Sequence, residues 1–288
     1  TRKRTLFPYT TLFRSGGDAM PLWGLIFEPL SSLPLLAVIL SFVLMVIIVV
    51  VMIRFNTNLF FIPRRTYFPA LFFIIYYSAF PDVMILNPAL PAALLIMLGI
   101  WRMMDAYRIN GMAFTFFDAA LLISSAGMFY AASLWFVLLV LTGALILRSP
   151  DFREIIITIA GALLPWIILY AVWYLTGSSM SDLTEIIRHN LFDKLPPVSW
   201  SRALIILFIV IALAFLPALL SLFREMPTYK IKSRKTFELF LWMIVICAAA
   251  YALAPSVSAG MNAITAIPVS FIMANYCAFT RRLVATEI

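Results

Sequence analysis

The chain has 288 residues, 64% of them hydrophobic and 12% charged, a formal net charge of +8 and a mean hydropathy of +1.03. Soluble domains carry roughly a quarter charged residues, so this composition excludes a soluble enzyme or binding module and indicates a polytopic membrane protein in contact with a lipid bilayer. The basic residues sit in short loops between apolar runs, not on one amphipathic face, so no nucleic-acid partner is expected either.

At the N-terminus, Thr5 to Ser15 read TLFPYTTLFRS, which resembles the conceptual translation of a sequencing-adapter oligonucleotide. The stretch has no continuous apolar core and no small-residue cleavage site, so it fails as a secretory signal. Residues 1–15 are therefore expected to be an artefact. Residues 16–288 are read as a single transmembrane helical domain that has lost its native start.

The expected fold class is all-α, a transmembrane helical bundle with nine spans in this fragment. Leu33 to Ile53 is apolar for 21 residues, about 31 Å as a helix and enough to cross a hydrocarbon core. Shorter spans are expected over Tyr67–Phe80, Pro88–Met104, Phe114–Tyr130 and Leu134–Leu147, the last two forming a tight hairpin. Longer ones follow at Ile155–Tyr174, Ala203–Phe223, Phe237–Ala254 and Met261–Thr280. Pro165, Pro217 and Pro268 fall inside spans, where each withdraws a backbone donor and should kink its helix.

Counting lysine and arginine by alternate loops gives orientation. One set holds fourteen: Arg54, Arg64, Arg65, Arg102, Arg108, Arg148, Arg153, Arg224, Lys230, Lys232, Arg234, Lys235, Arg281 and Arg282. The other holds three, Arg188, Lys194 and Arg202, all in the long loop between the sixth and seventh spans. The positive-inside rule places the first set in the cytoplasm and the long loop outside.

That outer loop contains SMSDLTEIIRHNLFDKLPPVSW. Met180, Leu183, Ile187 and Leu191 share one face, which predicts an interfacial amphipathic helix over 181–194. Asp182 and Glu185 have capping-box spacing, and Pro196-Pro197 stops the helix. The loop holds His189, the single histidine of the chain, close to Asp193. It reads either as a solvated helix covering helix ends or as a polar lid over an outward-facing cavity.

Asp118 lies about 10 Å inside the expected cytoplasmic boundary by helical rise. A carboxylate at that depth should be buried and paired, and Arg102, Asp105 and Arg108 are its nearest charged neighbours in sequence. This intramembrane polar cluster reads as an ion-pair brace for the bend, or as a proton or substrate site. Cys247 and Cys277 both fall within apolar spans and read as small core residues. No phosphate loop, dinucleotide fingerprint, serine elbow or zinc-type histidine pair occurs, so no cofactor and no metal is expected.

The motifs NPALPAALLIMLGIWRMMDAY, FFDAALLISSAGMFY and RSPDFREIIITIAGALLPW resemble an uncharacterised family of bacterial polytopic inner-membrane proteins, catalogued as a domain of unknown function. Some members carry the label beta-carotene monooxygenase. The iron of such oxygenases is held by several histidines, and with His189 alone this chain is not expected to be one. The same helices are also similar to the membrane module of glycosyltransferases that use polyprenyl-phosphate sugars. That resemblance implies an acid in the first outer loop, and Glu28 and Asp82 are the outer acids before the long loop. Together with His189 and Asp193 they are the candidate catalytic residues. Three classes remain open: a non-catalytic envelope membrane protein or assembly partner of another membrane protein, an enzyme acting on a polyprenyl-linked lipid sugar, and a small-solute transporter.

Overall fold

Within a bilayer a backbone amide finds no water, so each apolar run must satisfy its hydrogen bonds internally as a helix. The computed structural model describes residues 19–31, 33–59, 62, 66–80, 86–107, 113–147, 152–192, 202–254 and 257–286. Among these described residues there are eleven α-helices and no strand. In chain order they are α1 (Pro21–Ser31), α2 (Pro34–Leu59), α3 (Phe68–Ser78), α4 (Ala89–Ala106), α5 (Ala113–Ala126), α6 (Val137–Leu147), α7 (Phe152–Leu175), α8 (Met180–Phe192), α9 (Arg202–Glu225), α10 (Ile231–Leu253) and α11 (Met261–Thr286). Short 3-10 segments at Ala131–Phe136 and Met226–Thr228 lead into α6 and α10.

The expected nine spans are not what the helix lengths support. Five stretches are long and apolar enough to cross a membrane: Leu35–Leu59, Phe152–Leu175, Ile205–Thr228, Ile231–Leu253 and Met261–Ala278. The expected second, fourth and fifth spans fall on shorter apolar helices, Phe68–Ser78, Phe114–Ala126 and Ala131–Leu147, none longer than 17 residues and so under the roughly 20 that a hydrocarbon core requires. The third is α4, 18 residues long. Composition misleads here for a physical reason. The side chains that suit lipid also suit a protein interior, and α4 buries Leu90, Ile96, Met97, Ile100, Met103 and Met104 against other helices.

The core is built around α4 and α11. Of the α11 span 72% is buried, against 11% for the α9 span, which makes α11 central and α9 peripheral. Phe55 of α2 contacts Trp101 of α4, Phe240 of α10 and Phe271 of α11 at ring distances of 6.2, 6.1 and 5.7 Å. Phe240 and Phe271 stack at 4.7 Å. These offset and edge contacts tie four helices through one aromatic centre.

Small residues set the close approaches. A Cβ on Gly99 of α4 would fall 2.6 Å from Ile123 Cγ1 of α5, and one on Gly143 of α6 would fall 3.0 Å from Met103 Sδ and 3.1 Å from Leu239 Cδ2. A Cβ on Gly161 of α7 would fall 2.5 Å from the Phe117 carbonyl oxygen of α5. Ser124 Oγ donates to the Ala162 carbonyl at 2.6 Å, and Trp166 Nε1 donates to Ser124 Oγ at 2.9 Å. Later residues of α5 thus meet later residues of α7, so the two helices run parallel and touch backbone to backbone near Gly161. Pro165, Pro217 and Pro268 lie inside α7, α9 and α11.

Candidate functional site

Two regions collect polar groups, one at each end of the bundle. At the end where α4 finishes and α5 and α10 begin, Arg102 donates from Nε and Nη2 to Asp118 Oδ2 at 3.0 and 2.9 Å. The pair is half exposed, at 49% and 39%, in contrast to the buried carboxylate expected from the sequence. A pair so exposed contributes at most about 1 kcal/mol. Burial lifts the Asp105 carboxyl above its ordinary range against the opposing fields of Arg102 and Lys232, and Arg108 lies outside the described residues.

The first turns of α10 brace this end. Lys235 Nζ donates to the Leu147 carbonyl of α6 at 2.9 Å and sits 5.5 Å from the centroid of the Tyr107 ring. It thereby satisfies a terminal carbonyl and places its charge at the negative end of the α6 dipole. Arg234 pairs with Glu238 one turn later at 2.9 Å.

A second polar chain at this end has no counterpart among the sequence expectations. Asn275 of α11 is fully buried, and its Nδ2 donates to Tyr229 Oη at 2.8 Å. Tyr229 Oη donates in turn to Glu225 Oε2 at 3.0 Å. Burial holds the Tyr229 hydroxyl above its ordinary range, so it stays protonated as the donor to Glu225. An asparagine inside an otherwise apolar span was the available signal. Tyr229→Phe removes both bonds, and the Asn275 amide, whose Oδ1 has no hydrogen-bond partner among the described residues, loses the one made by its Nδ2. The expected cost is about 1–3 kcal/mol, read as a lower apparent melting temperature in detergent, whereas an unchanged one would show that this chain carries no stability.

At the opposite end, α8 packs on α7 and on the Ala131–Phe136 segment. Leu183 is fully buried and Leu191 packs on the cluster of Met20, Trp23, Leu86 and Ala131. The helix begins at Met180, ahead of the expected start, so Asp182 occupies the first turn instead of capping it. There its charge favours the helix dipole. His189 Nε2 lies 3.4 Å from Glu185 Oε1 on the polar face, which also carries Ser181, Thr184 and Arg188. Glu28 belongs to α1 but its side chain is not among those described, and Asp82 and Asp193 lie outside the described residues. Nothing described therefore brings the four candidate catalytic residues together. Among the described residues, no group of three or more His, Cys, Asp or Glu is placed to hold a metal ion.

Beneath α8 is a cavity of about 650 Å3 between α1, α5, α7 and α8. Gly24 and Leu25, Leu121 and Ser125, Ile168, and Ile186 line it from those four helices in turn. Pro165, which removes a donor from the α7 ladder, also lines it, one turn past the close contact at Gly161. The two parallel helices touch at Gly161 and leave room beyond Pro165. No sequence pattern marks this groove, because it depends on how four separate elements meet.

A family profile described as "Family of unknown function (DUF6427)" matches residues 25–288. No curated protein and no solved structure matches the chain.

Proposed function

This chain belongs to the DUF6427 family of unknown function, and from its geometry we propose a multi-pass protein of a bacterial inner membrane that engages a lipid at the outer face of that membrane. Orientation rests on the basic residues. Lys230, Lys232, Arg234 and Lys235 stand at the start of α10, and Arg102 stands at the end of α4, which the positive-inside rule assigns to the cytoplasm. Helices α3 to α6 are four in number and so return the chain to the side it left. This even number keeps α7 running outward whether or not each short helix crosses fully. The loop carrying α8 is then outside.

The observation that carries the reading is the apolar groove roofed by an amphipathic helix. A solute conduit centred on Asp118 is the less supported alternative, since that carboxylate is engaged by Arg102. A second reading, an enzyme resembling polyprenyl-phosphate-sugar glycosyltransferases, is favoured by the Glu185–His189 pair on the α8 face turned away from the groove. Complementation of a strain lacking the gene separates the two. A lipid-engaging role without chemistry at α8 predicts that His189→Ala supports growth as wild type does. Loss of function at normal membrane abundance would instead favour the enzyme.

A further inference from the structure

We infer that the groove between α1, α5, α7 and α8 holds one acyl chain of an outer-leaflet phospholipid, admitted sideways from the bilayer. The outer-leaflet placement rests on the orientation proposed above. The groove itself rests on three observations.

The first is length. On α7 the lining runs from Leu164 to Thr176, about 18 Å of helix. This is close to half of a hydrocarbon core about 30 Å thick, the depth of one leaflet. A long polyprenyl chain would overrun it. The volume of about 650 Å3 lies within the roughly 300–1,000 Å3 range of ligand sites.

The second is chemistry. The polar groups in the lining are already engaged. Ser125 Oγ donates to the Leu121 carbonyl at 2.7 Å, Thr176 Oγ1 to the Trp173 carbonyl at 2.7 Å, and Trp173 Nε1 to the Ser179 carbonyl at 3.1 Å. Water entering would find few polar atoms in the lining and give up more hydrogen bonds than it regained. A hydrocarbon chain gives up nothing.

The third is access. Leu25, Ile168 and Val172 line the groove yet are 71%, 54% and 52% exposed. The groove therefore opens on a flank of the bundle, where apolar side chains of α7 such as Leu163 and Ile167 are also exposed. In a membrane that flank faces lipid tails.

Gly24 supplies the test. A Cβ added there meets nothing within 4 Å and Gly24 lines the groove, so Gly24→Trp is the substitution chosen to fill it. The full chain, purified in mild detergent with dioleoylphosphatidylglycerol, is measured by native mass spectrometry. Wild type should retain one phospholipid through detergent exchange. Gly24→Trp should retain about tenfold less, a loss of roughly 1.4 kcal/mol, at an unchanged melting temperature. Should that variant fail to fold, Ser125→Leu decides by the same reading. Equal retention by the filled variant, or no retained lipid in wild type, would overturn the groove assignment while leaving the orientation standing. Preferential retention of undecaprenyl phosphate would overturn the acyl-chain assignment. A cytoplasmic α8, found by labelling a cysteine at Ser179, would overturn the leaflet assignment alone.

Discussion

Gly161→Leu should destabilise the protein by about 3 kcal/mol, the upper part of the usual range for overpacking, because its first side-chain atom would fall 2.5 Å from a backbone oxygen and 3.0 Å from the Cα of Phe117. Backbone cannot rotate away as the tip of a flexible side chain can. The helices α5 and α7 would have to separate, stretching the bonds that join Ser124 to Ala162 and Trp166. Gly24→Ala is the matched control, since its Cβ meets open space, and it should leave the apparent melting temperature unchanged. Equal stability of Gly161→Leu and wild type would mean that α5 and α7 are not in backbone contact.

Leu183→Asp should release α8 from the bundle. Leu183 has 0% exposure, so the substitution forfeits about 1.5–3 kcal/mol of apolar burial and places a carboxylate at a buried position. At about 3 kcal/mol the opening equilibrium of the helix rises roughly a hundredfold. Limited proteolysis reads that equilibrium when opening and closing are fast relative to cleavage. A protease added to the outer face should cut the variant between 178 and 201 far faster than wild type. His189→Ala, on the exposed polar face, should leave the rate unchanged. Unchanged cleavage of Leu183→Asp would show that α8 is held by something other than its apolar face.

Different layers of this molecule are legible in the sequence to different degrees, and the residues show why. The helical class and the α8 helix follow from periodicity and composition, which are local, so the spacing of Leu183, Ile187 and Leu191 announces the amphipathic face, although Met180, expected on it, is 39% exposed. The number of crossings does not follow. Hydropathy scores Leu90, Ile96 and Met97 of α4, all buried in protein, as it scores Ile206 and Leu213 of α9, both exposed on the flank. Arg102 and Asp118 are near neighbours across a short bend, and their distance of 2.9 Å reflects that adjacency. Asn275 and Tyr229 are 46 residues apart, and Ser124 and Trp166 are 42 apart. Such pairings are fixed by the assembled bundle, and so is the groove. Glycine behaves alike. Nothing in the sequence distinguishes Gly161, pressed on Phe117, from Gly24, which faces open space.

In the proposed orientation α8 and the groove beneath it face outward while the start of α10 faces the cytoplasm. Single-cysteine labelling of intact cells with a membrane-impermeant maleimide tests it directly. Ser179, exposed immediately before α8, and Lys230, exposed immediately before α10, are suitable positions, whereas Ser233 is buried at 7% exposure and would report accessibility in place of topology. With Cys247 and Cys277 replaced by alanine, Ser179→Cys should label in intact cells and Lys230→Cys only after the membrane is broken. Labelling of Lys230→Cys in intact cells, with protection of Ser179→Cys, would reverse the orientation.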